Sequence, residues 1–299
     1  MHFNFRIIIL GAFNSQNRNN MKIGILLLLL IVYTNLLLAQ SLRYSLAQPY
    51  ISLSAYSSKQ TDPLSFTGNQ TALTQVKSAG IGVFGERRFM QSETSNYTLG
   101  ASFPTRLGNF GIQLNYAGFK NFNEHKIGLA YARKLGKLLD VGVQFNYYGY
   151  RIPAYGNTST INFEIGAMLH LTDQLNAGLH VYNPVGGKLG TSASLSIDKE
   201  KLASAYKFGL GYDASDRFFI SSEIIKEEDK AVNVIAGLQY QFAKQFFAKA
   251  GFISESTTAY AGAGVAWKNL RLDISSGYHP QLGFSPGLLL IMNFKPKKE

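Results

Sequence analysis

The sequence predicts an all-β fold: a transmembrane antiparallel up-and-down β-barrel of about fourteen strands, with a short N-terminal plug segment. Three observations predict it. Apolar and aromatic residues alternate with small or polar ones along most of the 299 residues. That is the period of a strand whose two faces meet different surroundings. No apolar run after position 40 approaches the ~18 residues that a membrane helix needs. Finally, short turns alternate with connections that are mostly longer, as in barrels whose two ends face different compartments.

The clearest unit is residues 126–150. Ile127, Leu129 and Tyr131 alternate with Gly128, Ala130 and Ala132, a tight turn follows at Leu135-Gly136-Lys137, and Val141, Val143, Phe145 and Tyr147 alternate with Gly142, Gln144, Asn146 and Tyr148. This pattern reads as a β-hairpin with one apolar face and one small or polar face. Mean hydropathy is near zero, at -0.02, because half of each strand is polar. A sandwich would bury its apolar face and has no need of connections that alternate in length. Tyr97, Tyr131, Tyr147, Tyr206, Tyr240 and Trp267 end the apolar stripes, where interfacial girdles lie.

In chain order, residues 1–20 precede a second Met and are read as a misassigned start. Residues 21–39 carry Lys22, the apolar run Ile23–Tyr33 and a small-residue end, the pattern of a signal peptide cleaved near Ala39-Gln40. Residues 40–78 are polar and Ser/Thr/Gln-rich. Asp62-Pro63 and Gly68-Asn69 supply turns there, Gln70–Val76 allows a helical turn or two, and the segment is expected to plug or cap the barrel. A disordered leader is the alternative. Residues 79–294 hold the barrel strands, and 295–299 form a basic tail.

The net charge is +11, of which Arg6, Arg18 and Lys22 supply three, and the chain has no cysteine. Disulfides, thiolate metal sites, cysteine nucleophiles and a lipidated N-terminal Cys are thereby excluded. No dense basic run precedes Lys295, so the charge fits loops facing an anionic lipid headgroup layer better than nucleic acid.

The alternation turns Gln113, Asn115, Gln144, Asn146, Asn162, Glu164, His170, Asn176, His180, Lys207, Glu223, Asn233, Gln239, Lys249, Arg271 and Asp273 inward. Such a list reads as a polar conduit or binding pocket, or as an ion-pair network that fills the interior, since buried charge must be paired. The second reading is favoured, with Arg271–Asp273 and Glu164–Lys207 as candidate pairs. His170 is expected opposite Asn176, not His180, and no metal ligand set forms around either. Gly209-Leu210-Gly211 and Gly262-Ala263-Gly264 are strand glycines with no helix after them, so they are not phosphate loops. No motif fixes a nucleophile, so no catalytic or cofactor residue is assigned. The longest outer connections are Pro184–Ser204 and Arg151–Thr160.

The stretch Asp62-Pro63-Leu64-Ser65-Phe66-Thr67-Gly68-Asn69-Gln70-Thr71-Ala72-Leu73 is similar to the D-x-x-S-x-x-x-N-P-A-x-L segment of FadL-like outer-membrane barrels, in particular the PorV/PorQ-type relatives of Bacteroidota. Asp62, Ser65 and Asn69 match in position, and Gln70 stands at the Pro. The turn region Leu135–Val143 also resembles theirs. The resemblance implies a monomeric fourteen-strand barrel in the outer membrane of a Gram-negative cell, without catalysis. It implies either uptake of hydrophobic small molecules with the N-terminal segment as hatch, or an accessory role in type IX protein secretion with secretion-system proteins as partners. A passive structural barrel or surface adhesin is the alternative from another class. The inward list, mostly polar, counts against a dry fatty-acid channel.

Overall fold

A computed structural model describes residues 53–152, 156–186, 190–191, 202–228 and 230–294. The expected signal peptide, the start of the plug segment and the basic tail lie outside them. Fourteen antiparallel strands form the wall: β1 (Gly80–Arg87), β2 (Ser95–Thr105), β3 (Gly108–Phe119), β4 (Phe122–Leu135), β5 (Leu139–Ile152), β6 (Gly156–His170), β7 (Leu175–Tyr182), β9 (Ala205–Asp213), β10 (Phe218–Glu227), β11 (Asn233–Tyr240), β12 (Phe246–Ile253), β13 (Thr258–Trp267), β14 (Leu270–His279) and β15 (Gly283–Asn293). The two-residue β8 (Gly190–Thr191) pairs on the outer end of β6. Each wall strand pairs with its neighbours in sequence, and β1 pairs with β15 from Gly80↔Asn293 to Glu86↔Gly287. The sheet therefore closes and leaves no edge in the wall, which satisfies backbone groups that hydrocarbon cannot.

The period-2 pattern decides which face is which. On β11, Asn233, Ile235, Gly237 and Gln239 are buried inward while Val234, Ala236, Leu238 and Tyr240 are exposed. Outside, Leu114, Ile127, Leu129, Phe145, Ile165, Leu179, Ile220, Leu238, Ile274 and Leu290 make a continuous apolar belt. Tyr97, Tyr147, Tyr206, Tyr240 and Trp267 are exposed toward its margins. So much exposed apolar surface suits lipid rather than water. Leu238→Arg, at 40 % exposure on this belt, should cost about 2–4 kcal/mol if its level is the bilayer midplane. Heat-modifiable gel migration after refolding into lipid vesicles reads that loss as a smaller folded fraction.

The ends differ less than the sequence suggests. At the end shared with Gly80 and Asn293, two to five residues join the strands. At the other end, Phe119 and Phe122 flank only two residues, and Arg151–Thr160 is mostly strand rather than loop. The wall grows there instead. Arg151↔Asn157 and Ile152↔Gly156 continue the β5–β6 ladder, and Gly118↔Asn123 and Phe119↔Phe122 close β3–β4. Backbone pairing satisfies more donors and acceptors than an open loop of the same length.

Candidate functional site

The barrel interior is occupied by the chain's own residues Leu53–Val76. Three short 3-10 turns build this segment: Leu53–Tyr56, Ser65–Thr67 and Gln70–Gln75. Their sequence explains their form. The Asp62 carboxylate accepts from Leu64 N (2.9 Å), and Ser65 Oγ accepts from Asp62 N (2.9 Å). These local bonds offer the backbone a turn in place of a strand. Asn69 begins the last turn as its N-cap, accepting from Thr71 N at 3.1 Å and from the Thr71 hydroxyl at 2.7 Å. Its amide also donates to Leu179 O at 3.1 Å, which ties the segment to β7. Asp62, Ser65 and Asn69 are all buried.

Glycines of the wall make room for this segment. A Cβ on Gly82 would come within 2.7 Å of Leu64, and one on Gly111 within 2.9 Å of Phe66. A Cβ on Gly142 would lie 2.8 Å from Gln70, and Gly178, Gly209 and Gly211 together cradle Tyr56. The Gly209 and Gly211 already noted as strand glycines thus have a specific partner. Their signal in the sequence is inward position without a side chain, but the sequence does not say what fills the space.

One side of the lumen is polar. Glu164 is its hub. Lys126 Nζ lies 3.2 Å from Oε1, and Asn146 Nδ2 donates to the same oxygen at 2.8 Å. Oε2 takes Gln70 Nε2 at 2.5 Å and His180 Nε2 at 2.9 Å. Gln144 adds a bond of 3.4 Å, and Gln144 and Asn146 reach on to Gln113 and Asn162. The expected Glu164–Lys207 pair does not form. Lys207 faces Glu223 across the β9–β10 ladder at 3.9 Å, and the Tyr56 hydroxyl donates to Glu223. Lys126, not Lys207, arrives at the level of Glu164, because a strand's alternation gives the face of a side chain but not its level around the barrel.

A second cluster repeats the first. Asp140 Oδ2 receives Gln75 Nε2 and His170 Nε2, both at 2.9 Å, and the Thr74 hydroxyl. His170 Nδ1 meets Asn176 Oδ1 at 2.7 Å, so His170 does lie opposite Asn176. In each cluster a wall carboxylate binds both a wall histidine and a glutamine of the same 3-10 turn. Two equivalent anchors therefore hold Gln70–Gln75 against β5–β7.

A third cluster lies on β12–β14. Arg271 forks onto Asp273 at 2.9 and 2.7 Å, and Lys249 Nζ reaches Asp273 at 2.9 Å. Arg271 also faces Asp62 of the inner segment at 3.8 Å and stacks 4.2 Å from the Phe247 ring centroid. Gln239 accepts from Arg271 at 3.4 Å and donates to Gln60. Asn233 binds locally instead, accepting from Ser254 and Glu255. At the short-turn end Lys59 Nζ lies 2.8 Å from Asp216, and this bond holds the exposed Asp216 carboxyl below its ordinary range.

The sequence reading missed that the other side of the lumen is apolar. Phe84, Ile225, Ile235, Tyr260, Leu289 and Ile291 point inward and pack with Leu53 and Leu64 of the inner segment. The alternation carried this signal faintly, because on β15 both faces are apolar (Leu288 to Met292) and the pattern loses contrast. Among the described residues no group of three or more His, Asp or Glu side chains is placed to hold a metal ion.

No family model matches the chain, and no curated protein matches it in sequence. Solved structures match its fold. The Pseudomonas putida toluene transporter TodX superposes with a TM-score of 0.59 at 8 % identity, covering 80 % of this chain and 95 % of that one. The Ralstonia pickettii toluene transporter TbuX gives 0.57 at 10 % identity, with 81 % and 98 % covered. A Pseudomonas aeruginosa FadL homologue gives 0.56 at 11 % identity, with 78 % and 94 % covered. The fold is that of FadL-type outer-membrane barrels.

Proposed function

We propose that this chain is an outer-membrane transport barrel that passes a hydrophobic small molecule, with Leu53–Val76 as its hatch. The carrying observation is the apolar lane inside the wall. Phe84, Ile225, Ile235, Tyr260, Leu289 and Ile291 form one buried cluster with Leu53 and Leu64 of the inner segment. Withdrawing the inner segment would leave a wall surface suited to an apolar solute, beside a polar half that gives up its bonds to Gln70, Thr74 and Gln75 and keeps those among wall residues, such as Lys126, Asn146 and His180 to Glu164. The short-turn end, which both ends of the wall share, faces the periplasm in this reading. Export by the signal peptide expected at 21–39 would agree with that orientation.

Planar-bilayer recordings of the intact protein and of a variant lacking residues 53–76, with uptake of radiolabelled oleate and toluene by a Gram-negative host, test the proposal. The intact protein is expected to be electrically silent and to speed uptake, and the deletion to conduct. Uptake equal to that of cells without the protein would overturn the hydrophobic-solute reading.

A second reading is an accessory role in protein secretion, of the PorV/PorQ kind. The close packing of the lumen by Leu53–Val76 favours it, since a filled barrel can work through its rim and loops. Silence in both recordings together with no uptake would support it.

A further inference from the structure

We propose that the short-turn corner of β2–β3 and β4–β5 is a binding site for an anionic phospholipid, bound through its phosphate. The proposal rests on the membrane orientation given above. A cavity of about 270 Å³ opens at this corner, lined by Arg106, Arg133 and Lys134 together with Thr74, Thr105 and Asn109. Three cations and two hydroxyls therefore share one cavity, and among the described residues that line it there is no carboxylate. The acid opposite Lys134 in register is Asp140, whose Oδ2 already receives His170, Gln75 and Thr74.

The cavity straddles the rim, and that straddling points to a lipid. Arg133 continues the outward row Ile127, Leu129, Tyr131, while Lys134 belongs to the inward row with Ala132. A phosphate between them lies at the end of an apolar stripe on which acyl chains can rest. Leu107, 75 % exposed, and Leu135, 53 % exposed, flank it. The corner is also built rigidly. Tyr131 Oη donates to Leu107 O at 2.7 Å, and Gly108, at φ 136°, lets the turn pass under the Tyr131 ring. Clustered cations above an apolar stripe suit a doubly or singly anionic headgroup over a zwitterionic one.

The site touches the hatch. Thr74 lines it, and Lys134 Nζ reaches Gln75 Oε1 at 3.4 Å. A bound phosphate would compete with Gln75 for Lys134.

The test is native mass spectrometry of the full chain in detergent, titrated with cardiolipin, phosphatidylglycerol, phosphatidylethanolamine or inorganic phosphate. Cardiolipin and phosphatidylglycerol should be retained roughly tenfold better than phosphatidylethanolamine, on the scale expected for a few cations near a headgroup. R106Q/R133Q/K134Q should abolish that preference. R217Q/K244Q/K268Q removes the same charge at the same end without this cavity and should keep it. Equal loss in both triples would show diffuse attraction and overturn the site. So would equal retention of all the lipids, or inorganic phosphate displacing lipid at matched concentration. Heat-modifiable migration confirms that each variant is folded, and R133Q alone serves if the triple is not. A folded wild type that conducts or takes up solute normally yet shows no lipid preference would sink this site and leave the transport reading standing.

Discussion

A valine at Gly211 should turn a silent barrel into a conducting one. Gly211 faces inward on β9, where an added Cβ would overlap the backbone carbonyl and Cβ of Tyr56. Backbone overlap has no rotamer to relieve it, so either the wall or the inner segment must move. The wall is held on both sides, by Gly211↔Asn176 and Ser221↔Gly211 in its ladders. Among the described residues, the 3-10 turn Leu53–Tyr56 meets the wall through Tyr56 to Glu223, Asn176 to Tyr56 O, and Ser221 to Leu53 O. Overpacking of this kind costs about 1–3 kcal/mol, comparable with what those bonds hold. The inner segment is expected to yield. Single-channel recording should show openings in Gly211→Val and none in Leu210→Val, whose side chain faces outward on the same strand. A folded but silent Gly211→Val protein would argue that Leu53–Val76 is a fixed part of the wall and not a hatch.

Glu164→Leu should destabilise the barrel by about 3–5 kcal/mol, the range for removing one partner of a buried ion pair. Lys126, His180, Gln70 and Asn146 all direct a proton donor at this carboxylate. Leucine would leave the Lys126 ammonium facing an apolar side chain and strand the others. The midpoint of urea unfolding in lipid vesicles, followed by gel migration, should fall sharply. Adding Lys126→Met to Glu164→Leu should recover part of the loss, because the unpaired charge is then gone. A change below about 1 kcal/mol in the single variant would mean that the hub is solvated and of little structural weight.

How much of this was legible in the sequence differs by feature. All fourteen wall strands follow from alternation and turn chemistry, and so does the inward direction of Gln144, Asn146, Glu164, His180, Lys207, Glu223, Gln239, Lys249, Arg271 and Asp273. The Arg271–Asp273 pair was legible because both residues lie on one face of one strand, two positions apart. The Glu164 hub was not, since its partners come from β4, β5, β7 and the inner segment. Their meeting depends on strand stagger around the barrel, which no local pattern records.

By itself the sequence determined the strands and their two faces, because a strand's side-chain period is a property of the covalent chain and needs no partner. It also determined the turn-forming chemistry of Asp62, Ser65 and Asn69, which acts within a few residues. Only the tertiary structure decided that Leu53–Val76 lies against the inner face of the wall, with Leu64 over Gly82, Phe66 over Gly111 and Tyr56 over Gly209. It alone divided the lumen into a polar half and an apolar half. The physical reason is that a glycine specifies space and a buried charge specifies need, but neither names its complement until closure of the barrel brings distant strands to one level.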